Sequence, residues 1–544
     1  MLGRRLARWA ALALLVGAAG SGCTAPTPEP TMTTPPPAPS GSPSQAGEPV
    51  DQARTRAEAM TDAELVGQLL MPSVGLSDSP AAVATLVKRH RLGGVILMGN
   101  VENTSASATA GQVRALTAAL RDAAQPAGSG LVPLIATDQE YGWVTRIKSG
   151  VVQLPSAMSF GAAARPDLTE AAWKGAGDEM AAIGINVDFA PDADVLGSPA
   201  NYVIGSRSFG GDPQAVADQV AATVRGLESA GVAGALKHFP GHGHTTVNSH
   251  DALPVLKQDL ASLTKGDLPP FQAGIDAGVS LVMSGHLQVD AIDRSVPATF
   301  SRKVLVDLLR TKMKFEGVVV TDALNMAPAR RWAPGEAAIR AFLAGNDLLL
   351  MPVDLAEAEK GLLAAVASKR IPRERLLDSV TRILRLKLRL AATPTAGDVG
   401  VAAHRDAAQA VAAAAVTVLK GACSGPLVRG QVSVTASNGR GQQVAWLSAA
   451  LKAQGVSVVV SGGQRVHLVG YADGTGDLAS GAAVTVAMDT PYLLRSATSA
   501  VRIATYSSSE ASMRALAAVL AGKAPAPGRS PVAVTGLPRS ACNG

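Results

Sequence analysis

The stretch Val232-Ala233-Gly234-Ala235-Leu236-Lys237-His238-Phe239-Pro240-Gly241-His242-Gly243 opens on five small apolar residues and closes on two bases and a loop of glycine, proline and histidine. The first five have the composition of a strand buried on both faces, which reads as a continuous apolar run rather than an alternation. Ending such a strand in Lys237 and His238 places a charge and a proton carrier at the edge of a core. The glycines after them let the backbone bend and approach a ligand. Asn248-Ser249-His250 follows a few residues on. A zinc loop needs a defined ligand spacing, and no His-Glu-x-x-His pattern is present, so the stretch reads as a site that uses no metal.

Working outward, short apolar runs recur at 69–74, 93–98, 132–136, 185–189, 232–236, 279–283, 317–320 and 347–351. Helix-length, Ala- and Leu-rich intervals such as 216–227 and 304–309 separate them. Thr61-Asp62-Ala63-Glu64 has the form of a capping box that opens a helix before the first run. Strand and helix alternating eight times predict a TIM-type (β/α)8 barrel. Polar residues then fall just after the runs: Asp138, Asp192 with Asp194, Lys237 with His238, His286, and Asp322. Strand ends are where such barrels carry their chemistry. Near residue 400 the pattern changes, with apolar strand candidates at 432–435, 456–460, 466–469, 484–487 and 501–505 and helix candidates at 446–451 and 512–520. These predict a smaller three-layer α/β domain on a mostly parallel sheet. With no Gly-x-Gly-x-x-Gly fingerprint and no P-loop, no nucleotide cofactor is implied.

Composition sets the bounds. At 544 residues, 47% hydrophobic and 17% charged, the chain has enough apolar mass for two globular domains. The net charge of +6 is not gathered into Lys/Arg runs interleaved with aromatics, and aromatics are only 3%, so nucleic-acid binding is not expected. Part of the excess is Arg4, Arg5 and Arg8, a basic start followed by a short apolar segment from Ala10 to Ala19. That segment is shorter than the ~20 residues a membrane span requires and reads as an export signal. It closes on Gly20-Ser21-Gly22-Cys23, which resembles a bacterial lipobox and makes Cys23 the expected lipid-attachment site. A Pro-, Thr- and Ser-rich tether follows. The expected division is 1–23 signal peptide and lipobox, 24–50 tether, 51–395 barrel and 396–544 C-terminal α/β domain. In an exported chain the two remaining cysteines, Cys423 and Cys542, are a candidate disulfide.

The 237–243 stretch with Asn248-Ser249-His250 resembles the signature of family 3 glycoside hydrolases, in their β-N-acetylhexosaminidase branch. There a Lys-His-Phe-Pro-Gly-His-Gly run precedes Asp-Ser-His, so Asn248 stands where the family has Asp. A second match is Phe315-Glu316-Gly317-Val318-Val319-Val320-Thr321-Asp322-Ala323-Leu324, whose Asp the resemblance makes the nucleophile. Asp138-Gln139-Glu140-Tyr141-Gly142-Trp143-Val144-Thr145-Arg146 is similar to a sugar-binding segment of the family, with Tyr141 and Trp143 in place of a Gly and an Arg. By resemblance, Asp138 accepts hydrogen bonds from sugar hydroxyls, and Arg146, Arg207, Lys237 and His238 complete the binding set. Trp143 is placed to stack on a sugar face.

The resemblance implies an exo-acting, retaining β-N-acetylglucosaminidase without cofactor or metal. It would cut terminal GlcNAc from peptidoglycan or chitin fragments on the outer face of the membrane, held by a lipid anchor, or as a secreted protein. In this branch His250 is the acid/base in place of the usual second carboxylate. A carboxylate beside it would stabilise the imidazolium, and Asn248 brings no charge. A weaker acid/base is therefore expected unless Asp251 substitutes. Other readings of the same residues are a family 3 β-glucosidase, an N-acetylglucosaminide phosphorylase, or a weakened sugar-binding lipoprotein. Asp188, Asp192 and Asp194 resemble the acidic strand of family 18 chitinases, but Leu196 stands where that motif has Glu.

Overall fold

The computed structural model describes residues 49–76, 78–99, 109–124, 131–393 and 397–542. The expected signal, Cys23 and residues 24–48 of the tether lie outside them. Residues 49 and 50 do not belong to the tether: the helix Pro49–Glu58 starts there, with proline at a helix start where its missing N–H is no loss. Arg54 ties this helix to the long helix Arg373–Ala392 through Glu374 (2.7 Å) and Asp378 (3.1 Å). The capping box at Thr61 and Glu64 forms, opening the helix Asp62–Gln68.

The strands of the first part are β1 (Leu70–Met71), β2 (Ser73–Gly75), β3 (Gly94–Met98), β4 (Leu134–Thr137), β5 (Val187–Asp188), β6 (Ala233–Phe239), β7 (Val255–Leu256), β8 (Leu281–Ser284), β9 (Gln288–Val289), β10 (Val318–Thr321) and β11 (Leu349–Leu350). Seven lie side by side in the order β10-β8-β6-β5-β4-β3-β2, every pair parallel. The ring closes because β11 pairs in parallel with β1, while Val320 of β10 bridges to Leu348. The run at 69–74 is therefore one barrel position in two pieces. Pro72 has no N–H to offer a neighbour, so β1 turns to β11 and β2 to β3. The strand at 185–189 shortens to two residues, and the one at 232–236 runs on through Lys237 and His238 to Phe239.

Helices pack outside the ring. The helix Pro213–Ser229 shows why: Asp212 accepts from the N–H groups of Gln214 and Ala215, Pro213 sits in the first turn, and Val216, Val220, Val224 and Leu227 bury one face.

The second part contains β12 (Thr417–Lys420), β13 (Gln431–Ala436), β14 (Ser457–Val458), β15 (Gln464–Val469), β16 (Val484–Ala487) and β17 (Val501–Ala504). Their order is β12-β17-β16-β15-β13-β14; all pairs are parallel except β12 against β17. Alternation along the strands sends Val432, Val434, Val466, Leu468, Val484 and Val486 to one face. The helices Gly441–Ala453 and Glu510–Leu520 cover that face. The other face carries buried Ser433, His467 and Thr485 and the half-buried Thr435. The short turns Thr475–Asp477 and Pro491–Ser496 form the third layer there, with His467 Nε2 donating to the Asp477 carbonyl (2.8 Å). Cys423 and Cys542 form a disulfide. The barrel and this sheet belong to one unit.

Candidate active site

The carboxyl ends of the barrel strands bring the predicted polar residues together. Lys237, on β6 and only 2% exposed, donates to Asp138 Oδ1 (3.0 Å) and pairs with Glu140 Oε1 (2.6 Å). Arg146 Nη2 donates to Asp138 Oδ2 (3.2 Å). Arg207 grips Glu140 with both arms, Nε to Oε2 (2.6 Å) and Nη2 to Oε1 (2.9 Å), and lies 3.5 Å from Asp192. The result is a chain of alternating charge: Arg146, Asp138, Lys237, Glu140, Arg207. Burial alone would raise the Glu140 pKa, but Arg207 and Lys237 outweigh it and hold it near 2. Asp138 is likewise buried, and Lys237 and Arg146 keep it well below the usual carboxylate range. Both are ionised at any working pH.

Glu140 is the residue that sequence reasoning passed over. A signal was present: Asp138 and Glu140 are two apart after a strand end, and alternate residues of extended chain face the same side.

Below this chain of charges Asp194 organises the His loop. Its Oδ1 accepts the backbone N–H groups of His238 (3.2 Å) and His242 (2.6 Å), and its Oδ2 meets His238 Nδ1 (2.8 Å). Burial, aided by the charge of Arg207, lowers the His238 pKa to about 4, so the ring is neutral at pH 7. His242 is lowered to about 4 as well, chiefly by burial. Asp192, Asp194 and His238 could together hold a metal ion by spacing alone. Asp194 already accepts three N–H groups, however, and the Arg207 guanidinium supplies positive charge beside Asp192. The cluster reads as a hydrogen-bonded support for the loop.

Asp322 follows β10. Its backbone N–H donates to the Ser284 carbonyl (3.0 Å), and its Oδ1 accepts the N–H of Ala323 (2.7 Å). His286, after β8, donates from Nε2 to the Ala323 carbonyl (2.9 Å) and meets Thr299 Oγ1 through Nδ1 (2.9 Å), so it clamps the residue next to Asp322. Burial pushes the Asp322 carboxyl up, but His286, His238, the Ala323 N–H and His250 together hold it below its ordinary value. An ionised carboxylate fixed at a strand end, with one oxygen held by the backbone, is what attack on an electrophilic carbon requires.

His250 is exposed on the loop after β6, close enough for its charge to act on Asp322 and His286. The loop is tied down beyond it by β7 pairing with β9. Asn248 is not turned to the His250 ring: its Oδ1 accepts the backbone N–H of His250 (3.0 Å) and its Nδ2 donates to Asp251 Oδ2 (2.8 Å). This is the local turn that Asn side chains favour, and it occupies Asp251 too. The Trp143 ring stacks on Tyr471, which follows β15, with ring centroids 4.5 Å apart.

Residues 61–386, which hold the barrel strands and every site residue named above except Tyr471, match the model of the glycosyl hydrolase family 3 N-terminal domain. The chain belongs to glycosyl hydrolase family 3. It is 35% identical over 409 residues to "Beta-hexosaminidase A" of Pseudoalteromonas piscicida, covering 66% of this chain and 67% of that protein. It is 33% identical over 337 residues to "Beta-hexosaminidase LpqI" of Mycobacterium tuberculosis, covering 59% and 81%. A solved family 3 β-N-acetylglucosaminidase from Paenibacillus sp. str. FPU-7 superposes with a TM-score of 0.78 at 31% identity, covering 88% of this chain and 99% of that one. Coverage of 88% exceeds the barrel, so this family 3 likeness extends into the second sheet. The chain is a glycoside hydrolase.

Proposed function

We propose that this family 3 enzyme hydrolyses terminal β-linked N-acetylglucosamine, with retention, from fragments of peptidoglycan or chitin. The observation that carries the reading is the ionised, backbone-held Asp322, which shares His238 as an electrostatic neighbour with the buried charge chain of Asp138, Arg146, Lys237 and Arg207, in a chain whose relatives are named β-hexosaminidases. In the first step a carboxylate oxygen of Asp322 attacks the anomeric carbon. The bond to the leaving oxygen breaks, and His250 gives that oxygen its proton. In the second step neutral His250 takes a proton from water, whose oxygen displaces Asp322 and restores the carboxylate. Lys237 and Arg146 hold Asp138 ionised, ready to accept hydrogen bonds from sugar hydroxyls.

The test is hydrolysis of an aryl β-N-acetylglucosaminide beside the matching β-glucoside, with and without inorganic phosphate. Faster cleavage of the glucoside, or dependence on phosphate, would overturn the reading. We also propose export and lipid attachment at Cys23. No helix among the described residues is long and apolar enough to cross a membrane, so membrane association would rest on the N-terminus. Cys23→Ser is expected to move the protein from the membrane fraction to the medium, and retention of the variant at the membrane would count against the anchor.

A further inference from the structure

A cleft of about 620 Å³ lies between the barrel loop at 199–205 and the second sheet. None of Asp138, Arg146, Lys237, His238, His250 or Asp322 lines it, so it is not the pocket that holds the sugar being cleaved. Its wall is tied to the His loop of the active site: Asn201 donates to the carbonyls of His242 and Gly243 (both 3.1 Å), and Gly205 in the same wall lies two residues before Arg207. On the other side it opens at the carboxyl ends of β15 and β16. Open parallel sheets take ligands at that edge, and beside β15 the strand order reverses, since β13 is followed by β14 on one side and β15 on the other.

The chain has only five tyrosines, and Tyr202, Tyr471 and Tyr492 all line this cleft. Of the exposed large hydrophobic side chains among the described residues, the aromatic ones are Tyr202 (57% exposed) and Tyr471 (37%). Tyr471 is backed by its stack on Trp143, which leaves its other face for a ligand. Tyrosine presents a rigid apolar face with a hydroxyl at its edge, and folding has little reason to expose it. Burial raises the Tyr471 and Tyr492 hydroxyls above their ordinary values, so they remain protonated donors.

The charged groups narrow the ligand. Asp489 is engaged by Ser206. Asp473 is engaged by Ser437 (2.6 Å), Asn438 (2.6 Å) and Arg440 (2.9 Å). Both carboxylates are thus engaged by groups of the protein itself. Arg495 alone brings positive charge to the lining, too little for a polyanion. Aromatic faces, phenolic hydroxyls and one guanidinium match a neutral, polyhydroxylated chain. We propose that the cleft is a second glycan-binding site, taking a stretch of β-linked N-acetylglucosamine polymer away from the bond being cut. This rests on the proposed activity for the identity of the sugar.

The experiment measures binding of soluble N-acetylglucosamine oligomers of increasing length to the Asp322→Asn protein, with and without Tyr202→Ala or Tyr492→Ala. Affinity for the longer oligomers is expected to fall about tenfold in either double variant. Unchanged affinity overturns the proposal. In the otherwise wild-type enzyme, Tyr202→Ala should leave kcat/KM on the aryl β-N-acetylglucosaminide within about twofold, because the aryl substrate does not reach the cleft. An equal loss on aryl and oligomeric substrates would place Tyr202 in the cleavage pocket and overturn a separate site. Tyr202→Phe keeps the ring, and a partial recovery of affinity is the expected mark of stacking. A kcat/KM loss that grows with oligomer length would put one chain across both sites. Loss of retention on insoluble polymer, with oligomer kinetics unchanged, would put a second chain in the cleft; both support the site. Absence of any aryl hydrolysis by the wild type would sink the proposed activity and leave the binding measurement standing.

Discussion

Lys237→Met removes the cation at the centre of the buried charge chain while keeping most of the side-chain volume. Asp138 then has Arg146 alone, and Glu140 has Arg207 alone. Breaking a buried ion pair from one side costs about 3–5 kcal/mol, because the remaining charge stays buried without its partner. The Glu140 pKa gives a second route to the size of the effect. It is near 2 in the folded chain against an ordinary 4.5, and at about 1.4 kcal/mol for each tenfold change this is worth ~3 kcal/mol. Part of that comes from Arg207, so the share of Lys237 is smaller, and the Asp138 contact adds to it. The sign follows from the lowered pKa: the stabilisation is complete above pH about 4.5 and disappears as pH falls toward 2. Chemical denaturation at pH 7 is therefore expected to show the variant destabilised by about 3 kcal/mol or more. The gap to wild type should narrow steadily below pH about 4.5. Coincident transitions at pH 7, or a gap that is as wide at pH 3 as at pH 7, would refute the argument.

Asp322→Ala should abolish turnover of the aryl substrate while circular dichroism and melting stay close to wild type; near-normal rates would remove Asp322 from the mechanism. Asn248→Asp should lower activity rather than raise it, since the new carboxylate would face Asp251 across the present 2.8 Å hydrogen bond and open the turn that carries His250. Adding Asp251→Asn should restore the turn and bring the rate on poor leaving groups back to or above wild type, and a double variant no better than the single one would contradict this. Cys423→Ser opens a cross-link between residues 119 apart, which loop-closure entropy values at roughly 4–5 kcal/mol; a guanidinium midpoint equal to wild type would show that the bond adds nothing.

The barrel was legible in the sequence because each of its strands is a local statement: a short apolar run, a helix-length interval, and a polar residue where the run stops. Lys237, His238 and Asp322 could be assigned to strand ends for the same reason. The capping box at Thr61 needs only four consecutive residues. What lay beyond reach was the choice of partner across long separations. Arg207 and Glu140 are 67 residues apart, Lys237 and Asp138 are 99 apart, and no spacing rule says which carboxylate a given cation will meet. The break at Pro72 depends on which neighbours β1 and β2 find when the ring closes. Asn248 could be seen to replace a charged residue, yet its turn toward Asp251 is settled by the loop's backbone. Trp143 could be seen to be aromatic, while the ring it stacks on arrives from the second sheet. Local composition therefore determined the elements and the ends that carry charge. The pairing of those charges, and the cleft lined by three tyrosines, were decided by tertiary structure, because hydrogen bonds and ring contacts go to whatever the fold brings within a few ångströms.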